Sequence, residues 1–90
     1  MEVSAHIIIS GMVQGVGFRY FVYQKAVALD IKGIVRNLYS GNLEIEATGE
    51  RSLIEEFIRE VKVGPRAARV NDLKITWKET LNTATRFEIR

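Results

Sequence analysis

Between two apolar stretches the chain runs Gly11-Met12-Val13-Gln14-Gly15-Val16-Gly17-Phe18-Arg19. Gly15 and Gly17 relax the backbone and can bare the N–H groups at the entrance of a helix. Those donors, together with the positive end of the helix dipole, suit an anion such as phosphate. Arg19, one step into the helix, can add a bidentate guanidinium grip. A Gly-x-Gly spacing also serves ordinary strand-to-helix turns, so the loop alone leaves both roles open. Two nucleotide motifs are excluded: a Walker loop ends in Gly-Lys-Ser/Thr, and a dinucleotide fingerprint needs a third glycine where Tyr20 stands.

Other chemistries find little material. The chain has no cysteine, which removes disulfides, thiolate zinc sites and cysteine nucleophiles together. His6 is the single histidine, and without a second histidine or clustered acids it is expected to be structural rather than a metal ligand. Glu44, Glu46, Glu55 and Glu56 are expected on solvated faces, and two like charges on one strand face repel rather than share acid and base roles. Tyr20, Tyr23 and Trp77 are assigned to core or amphipathic packing, and Gln14 to shaping the loop by hydrogen bonding.

The elements that must position the loop follow from hydrophobic periodicity. Ala5 to Ser10 is a β-branched run predicted to be a strand. Phe18, Phe21, Val22, Ala26 and Leu29 recur at helical spacing. Gly33 restarts the chain into a strand over Ile34 to Tyr39, with Asn37 sharing a face with Val35 and Tyr39. Ser40-Gly41-Asn42 makes a hairpin turn, and Leu43, Ile45 and Ala47 alternate with polar residues in the next strand. Ser52-x-x-Glu55 fits a capping box ahead of the stripe Leu53, Ile54, Phe57, Ile58 and Val61, which Gly64-Pro65 stops. Alternation returns from Arg69 to Lys78, and Phe87 and Ile89 suggest a short closing strand. Two split βαβ units with right-handed crossovers give an α+β, ferredoxin-like βαββαβ sandwich, an antiparallel sheet with both helices on one face. The first and second strands then flank the third, and their carboxyl ends lie roughly 10 Å apart, two strand spacings.

Gly11-x-Val13-Gln14-Gly15-Val16-Gly17-Phe18-Arg19, followed by Gly33-Ile34-Val35-Arg36-Asn37 and Gly41, resembles the acylphosphatase family over nearly the whole chain. The resemblance implies metal-free, cofactor-free hydrolysis of carboxyl-phosphate anhydrides to a carboxylate and inorganic phosphate. It implies that Arg19 and the amides of Gly15, Val16, Gly17, Phe18 and Arg19 hold the phosphoryl group, and that Asn37 orients the attacking water. Departures from the family pattern are mild: Ile34 stands where an aromatic is usual, Ser40 replaces a frequent Asp, and Leu43 a frequent Val.

The residue chemistry points the same way. No general base is evident, yet phosphoryl transfer depends mostly on positioning and charge stabilisation, which amides and one arginine can supply. A carboxylate leaves without protonation, whereas an alkoxide would need a general acid. An RNA-recognition module shares the element order, but its third strand would need stacking aromatics where this chain has Leu43-Glu44-Ile45-Glu46-Ala47.

Thirteen basic against eleven acidic residues leave a net charge of +2, too balanced to argue for nucleic acid. Ile7-Ile8-Ile9 is far shorter than the 18 or so residues of a membrane span, and Met1-Glu2 opens without a signal core. The expectation is one domain over residues 1–90, a cytoplasmic monomer acting on a small acyl phosphate, with no membrane or nucleic-acid partner. The rival is a non-catalytic module that uses the same cradle to sense a phosphorylated metabolite or an RNA phosphate.

Overall fold

Val3, Ala5, Ile7 and Ile9 alternate along β1 (Glu2–Met12), and all four are buried in the computed structural model, which describes residues 1–79 and 83–90. The chain continues through α1 (Phe18–Ala28), β2 (Lys32–Asn37), β3 (Leu43–Glu50), α2 (Arg51–Val63), β4 (Arg69–Lys78) and β5 (Phe87–Ile89). The strands form one sheet in the order β4-β1-β3-β2-β5. Each neighbouring pair among the first four is antiparallel, as the ferredoxin-like plan requires, and β5 adds a parallel edge beside β2. β1 outruns the predicted Ala5 to Ser10 segment because both of its edges are paired. Glu2 faces Glu50 on one side, and Met12 faces Arg69 on the other, past a register shift at Ser10 and Gly11.

Both helices cover the same sheet face. α1 packs on β2 and β5, and α2 on β1, β3 and β4. Phe18, Val22 and Ala26 of α1 meet Ile54, Phe57 and Val61 of α2 in one core with the inward row of the sheet. At the end of α1, Asp30 adopts a positive φ of 54° while Ile31 N–H reaches back to the Ala26 carbonyl at 2.8 Å. This Schellman-type turn sends the chain into β2. There Gly33 is obligatory: its φ is 143°, and a Cβ would sit 1.8 Å from the Glu46 carbonyl oxygen of β3.

The predicted capping box at Ser52 does not form. β3 runs directly into α2, so Glu50 is the N-cap, without a side-chain cap bond. Arg51 N–H is instead taken by the Met1 carbonyl at 3.0 Å, and Glu55 pairs with Arg51 at 3.3 Å. Trp77 is half-buried against the core, with the Arg51 guanidinium 4.4 Å from its ring centroid.

Glu44 also departs from expectation. It lies on the sheet face away from the helices, but only 14% of its side chain is exposed, because His6 and Arg36 close on it from the neighbouring strands. His6 Nε2 is 2.8 Å from Glu44 Oε2, and Arg36 Nε donates to Oε1. The His6 hydrogen bond, aided by Arg36 and opposed by partial burial, holds the Glu44 carboxyl below its ordinary value of 4.5. The folded protein therefore binds that proton less readily than the unfolded chain does. The stabilisation is complete above the ordinary value and fades as pH falls through the lower, folded-state one. Glu44→Gln should lose about 1 kcal/mol at neutral pH and show a shallower fall in stability below about pH 4.5 than the parent, measured by urea unfolding across pH. Parallel pH curves for the two proteins would assign the acid sensitivity to other groups.

Candidate active site

Gly15 and Gly17 have φ values of 74° and 75°, a region that strains any residue with a Cβ. A Cβ at either position would meet nothing within 4 Å, so torsion rather than space demands glycine, and the loop faces open room. Gly17 is the N-cap of α1 and offers no side-chain cap. The first helical bond runs from Phe21 N–H to the Gly17 carbonyl at 3.1 Å, which leaves the amides ahead of Phe21 without intrahelical acceptors. The first turn holds no acidic residue, so the positive end of the helix is not neutralised from within.

Buried side chains fix this loop from below. Val13 and Phe18 are each 1% exposed, and Val16 is half-buried against the core. The Phe18 ring meets Phe21 edge to face, with centroids 6.0 Å apart, and lies against Gly64 at the end of α2. Phe18 and Val16 thus anchor the loop through their side chains, and only their backbones are available to a ligand.

Gln14 ties the loop to the hairpin that follows β2. Its Nε2 donates to the carbonyls of Leu38 at 2.8 Å and Asn42 at 3.0 Å. Within that turn, Leu38 N–H donates to the Asn42 carbonyl and Gly41 N–H to the Leu38 carbonyl. Tyr39 does not continue the β2 alternation: β2 ends at Asn37, and Tyr39 stands fully exposed in the turn.

Sheet register sets the remaining distances. Leu43 of β3 faces Ile9 of β1 on one side and Asn37 of β2 on the other, so Asn37 and the start of the loop share one end of the sheet. Gly15, Gly17, Phe18, Arg19 and Asn37 line a single cavity of about 230 Å³, completed by Val13, Tyr20 and Ile89. Val16 is not in its wall. Among the described residues, the Asn37 carboxamide oxygen is buried with no hydrogen-bond partner. A stranded acceptor costs about 1–3 kcal/mol, which a water bound in the cavity would recover. Arg19 Nη1 donates to the backbone oxygen of Arg90 at 2.8 Å, and Arg90 N–H donates to the Val35 carbonyl at 2.8 Å. The guanidinium is thereby oriented, and its other donors have no partner among the described residues.

Three of these features lie outside what the sequence pattern predicts. Arg90 orients Arg19 through a backbone atom, which leaves no trace in residue type. Tyr20, expected in core or amphipathic packing, is exposed and also walls the cavity, while Tyr23 beneath it packs on the core. Ile89 reads in the sequence only as part of a closing strand, and its parallel pairing with Val35 carries it to the cavity.

Fold and cavity define an α+β sandwich with a cationic, amide-rich pocket where β1 meets α1. The family model for acylphosphatase matches residues 5–89. The acylphosphatase of Chlorobaculum tepidum is 41% identical over 88 residues, covering 98% of this chain and 96% of the relative. That of Caldanaerobacter subterraneus subsp. tengcongensis is 47% identical and covers 88% of each chain. The crystal structure of acylphosphatase from Bacillus subtilis superposes with a TM-score of 0.96 at 38% identity, covering 98% of both chains. The chain belongs to the acylphosphatase family, and it is an enzyme that hydrolyses acyl phosphates.

The coupling of loop to hairpin is open to a direct check. Gln14→Leu, which keeps the bulk and removes both donors, should cost about 1–2 kcal/mol in urea unfolding. Amide hydrogen exchange should accelerate at residues 15–19 more than in β1 or β3.

Proposed function

We propose that hydrolysis proceeds without a metal or other cofactor, with the substrate phosphoryl group held by the backbone amides of Gly15, Val16, Gly17, Phe18 and Arg19 and by the Arg19 guanidinium. Asn37 holds the attacking water. The water oxygen bonds to phosphorus as the bond from phosphorus to the carboxyl oxygen breaks. The carboxylate leaves with that electron pair, and the water proton passes to a phosphoryl oxygen. The observation that carries this reading is the convergence of Arg19, Gly15, Gly17 and an unpartnered Asn37 carboxamide oxygen on one cavity.

The lining chemistry supports each step. No carboxylate, histidine or thiol is among the residues lining that cavity, so it offers neither the usual anionic metal ligands nor a carboxylate or imidazole acid. A carboxylate leaving group requires no such acid. The amides at the start of α1 and the guanidinium aim donors where phosphoryl charge gathers, the largest single term available to this chemistry. Asn37 is neutral, can donate and accept, and sits two residues beyond buried Val35, so its position is fixed by sheet pairing. A small substrate rather than nucleic acid is favoured because β3 carries no aromatic side chain on the open sheet face, where bases would stack, and exposes Glu46 there.

Acetyl phosphate hydrolysis by the purified protein in excess EDTA is the test. Activity should be undiminished by the chelator. Arg19→Ala should lower kcat/KM by about 10³-fold and weaken competitive inhibition by inorganic phosphate. Asn37→Ala should lower kcat by about 10²-fold with a smaller change in KM. Chelator-sensitive turnover, or equal and small losses in both variants, would overturn the assignment.

A further inference from the structure

Charge is unevenly placed along this molecule. The cavity sits at the end of the sheet where three connections converge: residues 13–17 after β1, 38–42 after β2 and 64–68 ahead of β4. Gly64 lies against the Phe18 ring, and Arg69 faces Met12, the neighbour of the cavity residue Val13. None of the three connections carries an acidic residue, whereas Glu2, Asp30, Glu50 and Glu79 gather at the opposite end. Arg66 and Arg69 are exposed, and their guanidinium groups have no hydrogen-bond or ion-pair partner among the described residues. Val70 packs on the core, so Arg69 points to the other face of β4, beside exposed Met12. Other charges here are already answered. Lys62, in the last turn of α2, offsets the negative end of that helix. Glu60 pairs with Lys25, and Glu44 with His6 and Arg36. Asp72 is uncommitted, but it faces Ser10, further along β4 from the loop than Arg69.

We infer that Arg66 and Arg69 form an anion-capture rim, whose field concentrates the acyl phosphate at the cavity and sets the efficiency of substrate capture without taking part in the chemical step. This rests on the seating of the phosphoryl group in the Gly15 to Arg19 loop. Neither arginine is among the residues lining the cavity, so they act through space rather than by contact. A phosphoryl group carries close to two negative charges at neutral pH, which doubles the pull of each cation. Charges of one sign grouped at the mouth of a cavity raise the local concentration of an oppositely charged ligand, and salt abolishes the effect. The screening length shrinks from about 30 Å at 10 mM salt to about 8 Å at 0.15 M. Dilute buffer therefore lets both arginines reach the cavity, and concentrated salt silences them. The acidic far end of the sheet lies beyond that length in all but the most dilute buffer, so it does not cancel the rim.

Acetyl phosphate hydrolysis and its competitive inhibition by inorganic phosphate, followed from about 10 mM to about 300 mM NaCl, test the inference. The proteins compared are the parent, the double variants Arg66→Gln/Arg69→Gln and Arg66→Glu/Arg69→Glu, and Lys78→Gln. All the altered side chains are exposed, so the variants should fold. Over that range kcat/KM of the parent should fall about fivefold. The double Gln variant should start about threefold below the parent and fall less than about twofold, so that the two meet in high salt. The double Glu variant should reverse the slope. Turnover at saturation should change less than about 1.5-fold in each, and the phosphate inhibition constant should follow KM. Lys78→Gln removes an equally uncommitted cation at the far end of β4, roughly 30 Å away, and should stay within about 1.3-fold of the parent. A double Gln variant that keeps the parent slope overturns the inference, because salt then competes at the loop itself. So does an equal loss in Lys78→Gln, which would make net charge the cause, or a fall in kcat, which would put the arginines in the chemical step. A parent that phosphate does not inhibit at any ionic strength undoes the loop assignment, and the capture rim with it.

Discussion

Leu43 is a buried residue with no chemistry of its own, yet its pairing with Ile9 on one side and Asn37 on the other fixes the site. β1 must end beside β2 for a loop that leaves one strand to face a side chain carried by another. A one-residue slip of β2 against β3 would turn Asn37 to the opposite face of the sheet, because strand side chains alternate with period two. The register is protected against that slip by the core itself. Val35, Leu43 and Ile45 point inward together, and Gly33 lets β2 approach β3 at a point where any side chain would collide with the Glu46 carbonyl. Stability and site geometry are therefore set by the same contacts.

The loop side of the site follows a different principle. The donors it offers are backbone amides, which carry no side-chain rotamer freedom, and their exposure depends on two torsions that only glycine adopts cheaply. Such a loop would be loose if its surroundings did not hold it. Val13, Val16 and Phe18 hold it from below, and Gln14 holds it from the side through two carbonyls of the hairpin turn. The one charged side chain is restrained by the Arg90 backbone oxygen, itself anchored on β2 by its own N–H. Each flexible part of the cavity is thus tied to a rigid strand or a buried ring, the preorganisation that electrostatic catalysis requires.

Much of this was legible in the residues, and the exceptions have physical causes. Alternation in Arg69 to Lys78 and the apolar stripe of α2 predict their elements closely, since burial on one face leaves a periodic trace. The glycine pair and Arg19 mark the turn into α1 as a candidate anion site, and the structure brings them together with Asn37 on one cavity. Ser52 misled, because a sequence motif cannot show that β3 enters α2 without a loop and that the Met1 carbonyl takes the Arg51 N–H. The shielding of Glu44 is not legible, because strand alternation reports which face a residue occupies and not which neighbours close over it. Tyr20 followed the helical pattern of surface packing, and only the arrival of β5 on the far flank makes it a cavity wall. Backbone contacts such as the one from Arg90 are invisible to any argument from residue type.

The neutrality of Asn37 has an electrostatic logic that extends to the whole cavity. A carboxylate about 4 Å from a phosphoryl oxygen would raise the energy of the bound anion by roughly 4 kcal/mol per unit charge at the effective dielectric near a protein surface. That penalty would cancel much of what one guanidinium and a helix terminus contribute. A carboxamide fixes the direction of a water without that repulsion, and it needs no proton from a neighbour to stay neutral as pH changes. The consequence is a division of labour between enzyme and substrate. In the proposed mechanism the protein supplies position and positive potential, and the bond to be cleaved supplies its own good leaving group. An open cavity of about 230 Å³ in a 90-residue chain is sufficient for that task, where a phosphate monoester would demand a buried acid with a shifted pKa.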